Sequence, residues 1–114
     1  MLENRKHPRY KTKALARIAD ILEGENLVKD ISITGCCVES PAFAEIMPSM
    51  IYQLEIIPEK NSKINNFVME VEVKWLRSSG KGSAIGFGIL SSPKGEEFQR
   101  YVDYLAYRSS LDDY

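Results

Sequence analysis

Phe67, Met69, Val71, Val73 and Trp75 alternate with Val68, Glu70, Glu72, Lys74 and Leu76, the period of an antiparallel strand with one face on a core and the other in water. That alternation places Trp75 in the core row. Shorter stretches repeat the pattern: Tyr52, Leu54 and Ile56 share a side within Met50–Pro58, and Ile85, Phe87 and Ile89 share one within Ser83–Leu90. Opposite the last row, Gly86 and Gly88 leave the strand without bulk, so a neighbouring group can approach closely. Upstream, Lys13–Leu22 and Glu25–Ser32 read as a hairpin turning at Glu23-Gly24, followed by Cys36–Ser40 after a turn at Gly35. Gly80-Lys81-Gly82 supplies the turn before the last strand.

The period changes after Ser92, a capping residue followed by Pro93 at a first helical position. Phe98, Tyr101, Val102 and Leu105 then form an i, i+3, i+4, i+7 stripe. Tyr104, Tyr107 and Leu111 form a second row, a candidate contact surface for a homodimer or a partner. Five or six short strands and one terminal helix predict a mainly-β fold, an antiparallel β-barrel or strongly curled sheet with the helix outside or over one end. Pro41–Pro48 reads as a loop or short helical turn, and the polar stretch Pro58–Asn66 as the most mobile loop. Leu2–Thr12 has no apolar period and contains Pro8, which marks an irregular arm.

A chain of 114 residues fits one domain, divided into an arm (1–12), a barrel (13–90) and a C-terminal helix region (91–114). No apolar run has the length of a membrane helix, and the N-terminal residues lack the core of a signal peptide, so a cytoplasmic location is expected. Cys36 and Cys37 are adjacent and poorly placed to bridge each other, in keeping with reduced thiols. The net charge of -1 conceals an uneven distribution: residues 1–17 hold Arg5, Lys6, Arg9, Lys11, Lys13 and Arg17 against Glu3 alone. A basic arm on an acidic body favours a local anion site over a broad nucleic-acid surface.

His7 is the single histidine and sits on the arm, a poor mounting for a catalytic base, so no enzyme is expected. Two cysteines and one histidine fall short of a zinc set, so neither metal nor cofactor is expected. Arg5 and Arg9, with three residues between them, offer two guanidinium forks that suit phosphate oxygens, the O6 and N7 edge of guanine, and flat rings. Asp30 and Ser32, two apart on a strand, project from one face, where a carboxylate can accept from the N1 and N2 side of guanine. Gly35 allows a positive φ or a close ligand approach.

Together, Arg5-Lys6-His7-Pro8-Arg9 and Asp30-Ile31-Ser32-Ile33-Thr34-Gly35 resemble the paired RxxxR and (D/N)xSxxG signature of the PilZ domain family. Val71–Trp75, Gly86-Phe87 and the terminal helix are similar to later parts of that family. The resemblance implies a six-stranded antiparallel β-barrel with a C-terminal α-helix that binds cyclic di-GMP through Arg5, Arg9, Asp30, Ser32 and Gly35. It further implies that the arm closes over the ligand and changes the surface shown to a downstream protein. Asn4, before the first arginine, stands where the family decides between one ligand and a stacked pair; Asn4, Lys6 and Trp75 are secondary site candidates. Two other functions remain open: a PilZ-like protein-interaction module without messenger binding, and a small basic-arm barrel for RNA or single-stranded DNA, whose affinity falls steeply with salt.

Overall fold

The strongest alternating run becomes the longest strand in the computed structural model, which describes residues 7–41, 46–80, 82–91 and 95–112. The strands are β1 (Tyr10–Lys11), β2 (Leu15–Ile18), β3 (Leu22–Ile31), β4 (Gly35–Ser40), β5 (Ile51–Ile57), β6 (Phe67–Ser79) and β7 (Gly82–Ser91), and one helix follows, α1 (Gly95–Asp112). All strand pairs are antiparallel, in the order β1-β3-β2-β5-β6-β7-β4, and a β3–β4 pairing closes the ring. The result is a closed six-stranded barrel, with the short β1 as an extra strand beside the end of β3.

Alternation fills the barrel. Phe67, Met69, Val71 and Val73 point inward from β6, meeting Leu54 and Ile56 from β5, Ile85 and Phe87 from β7, and Val28 and Ile31 from β3. The α1 stripe Phe98, Tyr101, Val102 and Leu105 is buried as its spacing predicts. Phe98 and Tyr101 set their rings 6.0 and 6.1 Å from that of Phe67, so the helix seals the barrel over the start of β6. The Tyr101 hydroxyl donates to Glu59 Oε1 at 2.7 Å, tying the helix to the β5–β6 connection. Glu96 and Glu97 occupy the first turn of α1, where negative charge complements the helix dipole.

Four local expectations are corrected. The β2–β3 hairpin turns at Ala19–Ile21, not at Glu23-Gly24: Asp20 takes the left-handed conformation (φ 68°) and its N–H donates to Glu23 Oε2 at 2.7 Å. Gly24 lies within β3, where buried Asn26 donates to the carbonyls of Ala16, Leu22 and Glu23 and laces the hairpin together. The polar 58–66 stretch contains a built turn, with Ser62 Oγ donating to the Glu59 carbonyl at 2.7 Å and Lys63 in the left-handed region. The second helix row also divides, because Tyr104 stacks on Tyr101 at 6.2 Å while Tyr107 and Leu111 stay exposed. The fourth correction, Trp75, belongs to the site below. Ser92 and Pro93 lie outside the described residues, as do 42–45 of the Pro41–Pro48 loop.

Candidate functional site

One straight row of residues crosses five strands on the outer wall: Lys11 opposite Asp30, Asp30 opposite Cys37, Cys37 opposite Gly86, and Gly86 opposite Trp75. At about 4.8 Å per strand the row spans about 19 Å. Two β-bulges create it. Unbroken alternation from Val28 would turn Asp30 inward, but the register shifts between Val28 and Asp30, so that Ile31 enters the core and Asp30 remains part exposed. A second shift between Val73 and Trp75 turns the tryptophan outward, leaving it 39% exposed. Trp75 is therefore not a core residue: the extra bulge residue inverts the faces beyond Val73.

Gly86 explains where the indole rests. A Cβ on Gly86 would overlap Cδ1, Nε1 and Cε2 of Trp75, so the missing side chain lets the ring lie against β7. Gly88 makes the same allowance for the Lys74 chain, whose Cε stands 2.7 Å from where a Cβ would be. The close approach expected at these two glycines thus comes from the protein's own side chains. The Arg77 guanidinium carbon lies 5.0 Å from the Trp75 ring centroid, within cation-π range.

The row forms the floor of a groove of about 510 Å³. Arg9, Lys11, Lys29, Lys74 and Arg77 line it, and Asp30 is the single carboxylate among the described lining residues. Asp30 Oδ1 accepts from Arg9 Nη1 at 2.9 Å, and both side chains remain partly exposed. An exposed pair of this kind stabilises by about 0–1 kcal/mol, so an incoming anion can exchange with it at little cost. The arrangement offers positive charge for phosphates, a carboxylate for ring N–H groups, and an indole for stacking.

Ser32 stands apart from this row. β3 ends at Ile31, so the two-residue period does not carry Ser32 onto the Asp30 face. The Ser32 hydroxyl is buried and accepts from the N–H groups of Thr34 and Gly35 at 3.2 and 3.3 Å, while the Ser32 N–H donates to the Gly35 carbonyl at 2.8 Å. Its visible task is to shape the turn between β3 and β4. Gly35 does not take the positive φ expected as one option; a Cβ there would come within 2.6 Å of the Phe87 carbonyl oxygen, which is itself a reason for glycine. Arg5, Asn4 and Lys6 lie outside the described residues.

Burial disfavours the thiolate form of both cysteines. Burial, helped by Cys37 and Asp30, pushes Cys36 up to about 12, and burial with the Asp30 charge also raises Cys37. A raised folded-state pKa gives stability that is fully present below the unfolded value of 9.0 and is lost as pH climbs toward about 12. Alkaline urea titrations of Cys36→Ala should therefore show a shallower loss of stability across that window than wild type. Equal slopes would mean that Cys36 is not held protonated by the fold. Tyr101, raised by burial and by Glu59, adds to the alkaline loss in both proteins.

Sequence reasoning singled out Arg9, Asp30 and Trp75 but overlooked Lys29, Lys74 and Arg77 as lining residues. The only available signal for the last two was their position flanking Trp75 beside a strand carrying Gly86 and Gly88.

A barrel wall with a cationic groove, a carboxylate and an exposed indole has the chemistry to complement a flat, phosphate-bearing ligand. The PilZ domain profile matches residues 3–106, and the chain belongs to the PilZ domain family. Among solved structures, it superposes on the Bacillus subtilis inhibitor of motility (MotI/DgrA) with a TM-score of 0.77 and 17% identity, over 96% of this chain and 53% of that one. It thus spans about half of that protein's length. The PilZ domain of YcgR from Escherichia coli, determined with c-di-GMP, gives a TM-score of 0.69 and 16% identity, over 97% of this chain and 98% of that one. No curated protein sequence matches. Likeness at these identities concerns the fold. No described helix is long and apolar enough to cross a membrane.

Proposed function

We propose that this chain is a receptor for cyclic di-GMP that signals to a partner protein through a rearrangement of its N-terminal arm. The observation that carries this reading is the cross-strand row, which presents Lys11, Asp30 and Trp75 in one line within a cationic groove. Cyclic di-GMP has two phosphates, guanine edges and flat rings, and each finds a counterpart there. Arg9, with Arg5 of the same motif, grips phosphate and guanine acceptors. Asp30, exchanged from its pair with Arg9, accepts from the N1 and N2 side of a guanine. Trp75 stacks on a base while Arg77 holds the indole. Ser32 and Gly35 act from behind, by fixing the turn that follows Asp30. The same fold in the YcgR domain, determined with c-di-GMP, agrees with this assignment.

The arm is suited to move, because β1 is only two residues long and pairs with β3 alone. Arg9 lies just before it, so a ligand that draws on Arg9 acts directly on β1. Trp75 is the only tryptophan and serves as a built-in reporter. Titration with cyclic di-GMP should change its emission saturably, whereas GTP should leave it nearly unchanged. Trp75→Ala should lower affinity by about 1–3 kcal/mol, the usual worth of base stacking. Unaltered emission at saturating cyclic di-GMP would rule out stacking on Trp75.

A further inference from the structure

A second groove, of about 770 Å³, lies on the far side of the arm, between β1, the Lys60–Ser62 turn and the C-terminal half of α1. Its rim carries Arg9, Lys11, Lys13, Lys60 and Arg108. Glu59 is the only carboxylate among the described lining residues, and its Oε1 is already engaged by the Tyr101 hydroxyl. Among the described residues Lys11, Lys13 and Lys60 form no ion pair. Three like-charged lysines gathered on one rim, on a chain of net charge -1, set up a local positive field that suits an anionic partner. Tyr10 and Leu105 supply an apolar floor.

The backbone adds a second indication. β1 stands first in the strand order, no described strand pairs with its far edge, and its residues Tyr10 and Lys11 line the groove. A free edge of this kind accepts an extended segment. Nucleic acid fits less well, since Tyr10 is the only aromatic among the described lining residues and packs against the core, so that none of them offers an open platform for bases.

We infer that this groove docks an extended acidic segment of a partner protein. Arg9 and Lys11 also line the groove over Asp30 and Trp75, so the two sites draw on the same cations and are thermodynamically linked, a consequence that rests on the messenger reading. Binding at either site weakens the other by the same factor.

The test uses a fluorescein-labelled decapeptide alternating glutamate and leucine, with alternating lysine and leucine as the control and labelled oligouridylate as the nucleic-acid arm, read by anisotropy on the full chain. Saturable binding of the acidic peptide alone is expected. Lys13→Glu with Lys60→Glu, both exposed and absent from the messenger groove, should weaken it by about tenfold or more with cyclic di-GMP binding and melting temperature unchanged. No binding of the acidic peptide, indifference to the charge reversals, or equal binding of oligouridylate overturns the docking site. Saturating cyclic di-GMP should weaken the peptide several-fold. Unchanged peptide affinity with messenger demonstrably bound removes the linkage, while a chain that binds peptide in the expected way but shows no messenger binding fails the messenger assignment alone.

Discussion

Replacing Arg9 with alanine is expected to lower cyclic di-GMP affinity about ten- to a hundredfold, because a charge-assisted contact contributes about 1.5–3 kcal/mol. Arg9 is the described residue that links both halves of the signature: its guanidinium meets Asp30 at 2.9 Å across a sequence gap of 21 residues. In the proposed mechanism that pair holds the arm near the groove until a ligand turns the fork to phosphate or guanine. Arg9→Lys keeps the charge but not the planar fork, so it should recover only part of the loss. Asp30→Asn tests the other side, since an amide can no longer offer two acceptor oxygens to the guanine N–H groups. Calorimetric titration of the three variants checks the order. Wild-type affinity in Arg9→Ala would remove Arg9 from the site.

Phe67→Ala is expected to destabilise the protein by about 3–5 kcal/mol, the usual cost of removing a buried aromatic. This side chain is 1% exposed and lies between the barrel interior and the rings of Phe98 and Tyr101. Its loss opens a cavity where the helix meets the strands, and small domains have only about 5–15 kcal/mol of total stability. Urea unfolding should show a lower midpoint with an unchanged slope. A cost under about 1 kcal/mol would mean that α1 does not seal the barrel there. The docking groove depends on this seal, since Leu105 belongs to the same helical stripe.

Much of the fold was legible because core burial imposes a period that the residues display directly. Phe67–Val73 and the Phe98–Leu105 stripe needed no tertiary information. Bulges are different, since an extra residue leaves the apolar alternation of the sequence intact while inverting the faces beyond it. Trp75 was therefore read into the core, and Asp30 and Ser32 onto one face, although the bulges and the end of β3 decide all three. The turn at Ala19–Ile21 was missed because Glu23-Gly24 carries the stronger local signal, whereas Asn26, whose bonds to three backbone carbonyls hold the hairpin, looks unremarkable in a list of residues. The cationic lining was scattered over β1, β3 and β6, and only barrel closure brings Lys11, Lys29, Lys74 and Arg77 around one groove. Family resemblance, by contrast, required only the order and spacing of two short motifs.

The most direct measurement of messenger recognition is calorimetric titration of the wild-type chain with cyclic di-GMP and, at the same ionic strength, cyclic di-AMP. Both ligands carry the same phosphates and a flat purine surface for stacking, but adenine lacks the N1 and N2 donors that the proposal assigns to Asp30. Saturable heat with cyclic di-GMP and an affinity for cyclic di-AMP weaker by about tenfold or more is the expected result. No heat with cyclic di-GMP, or equal affinity for the two, would contradict it.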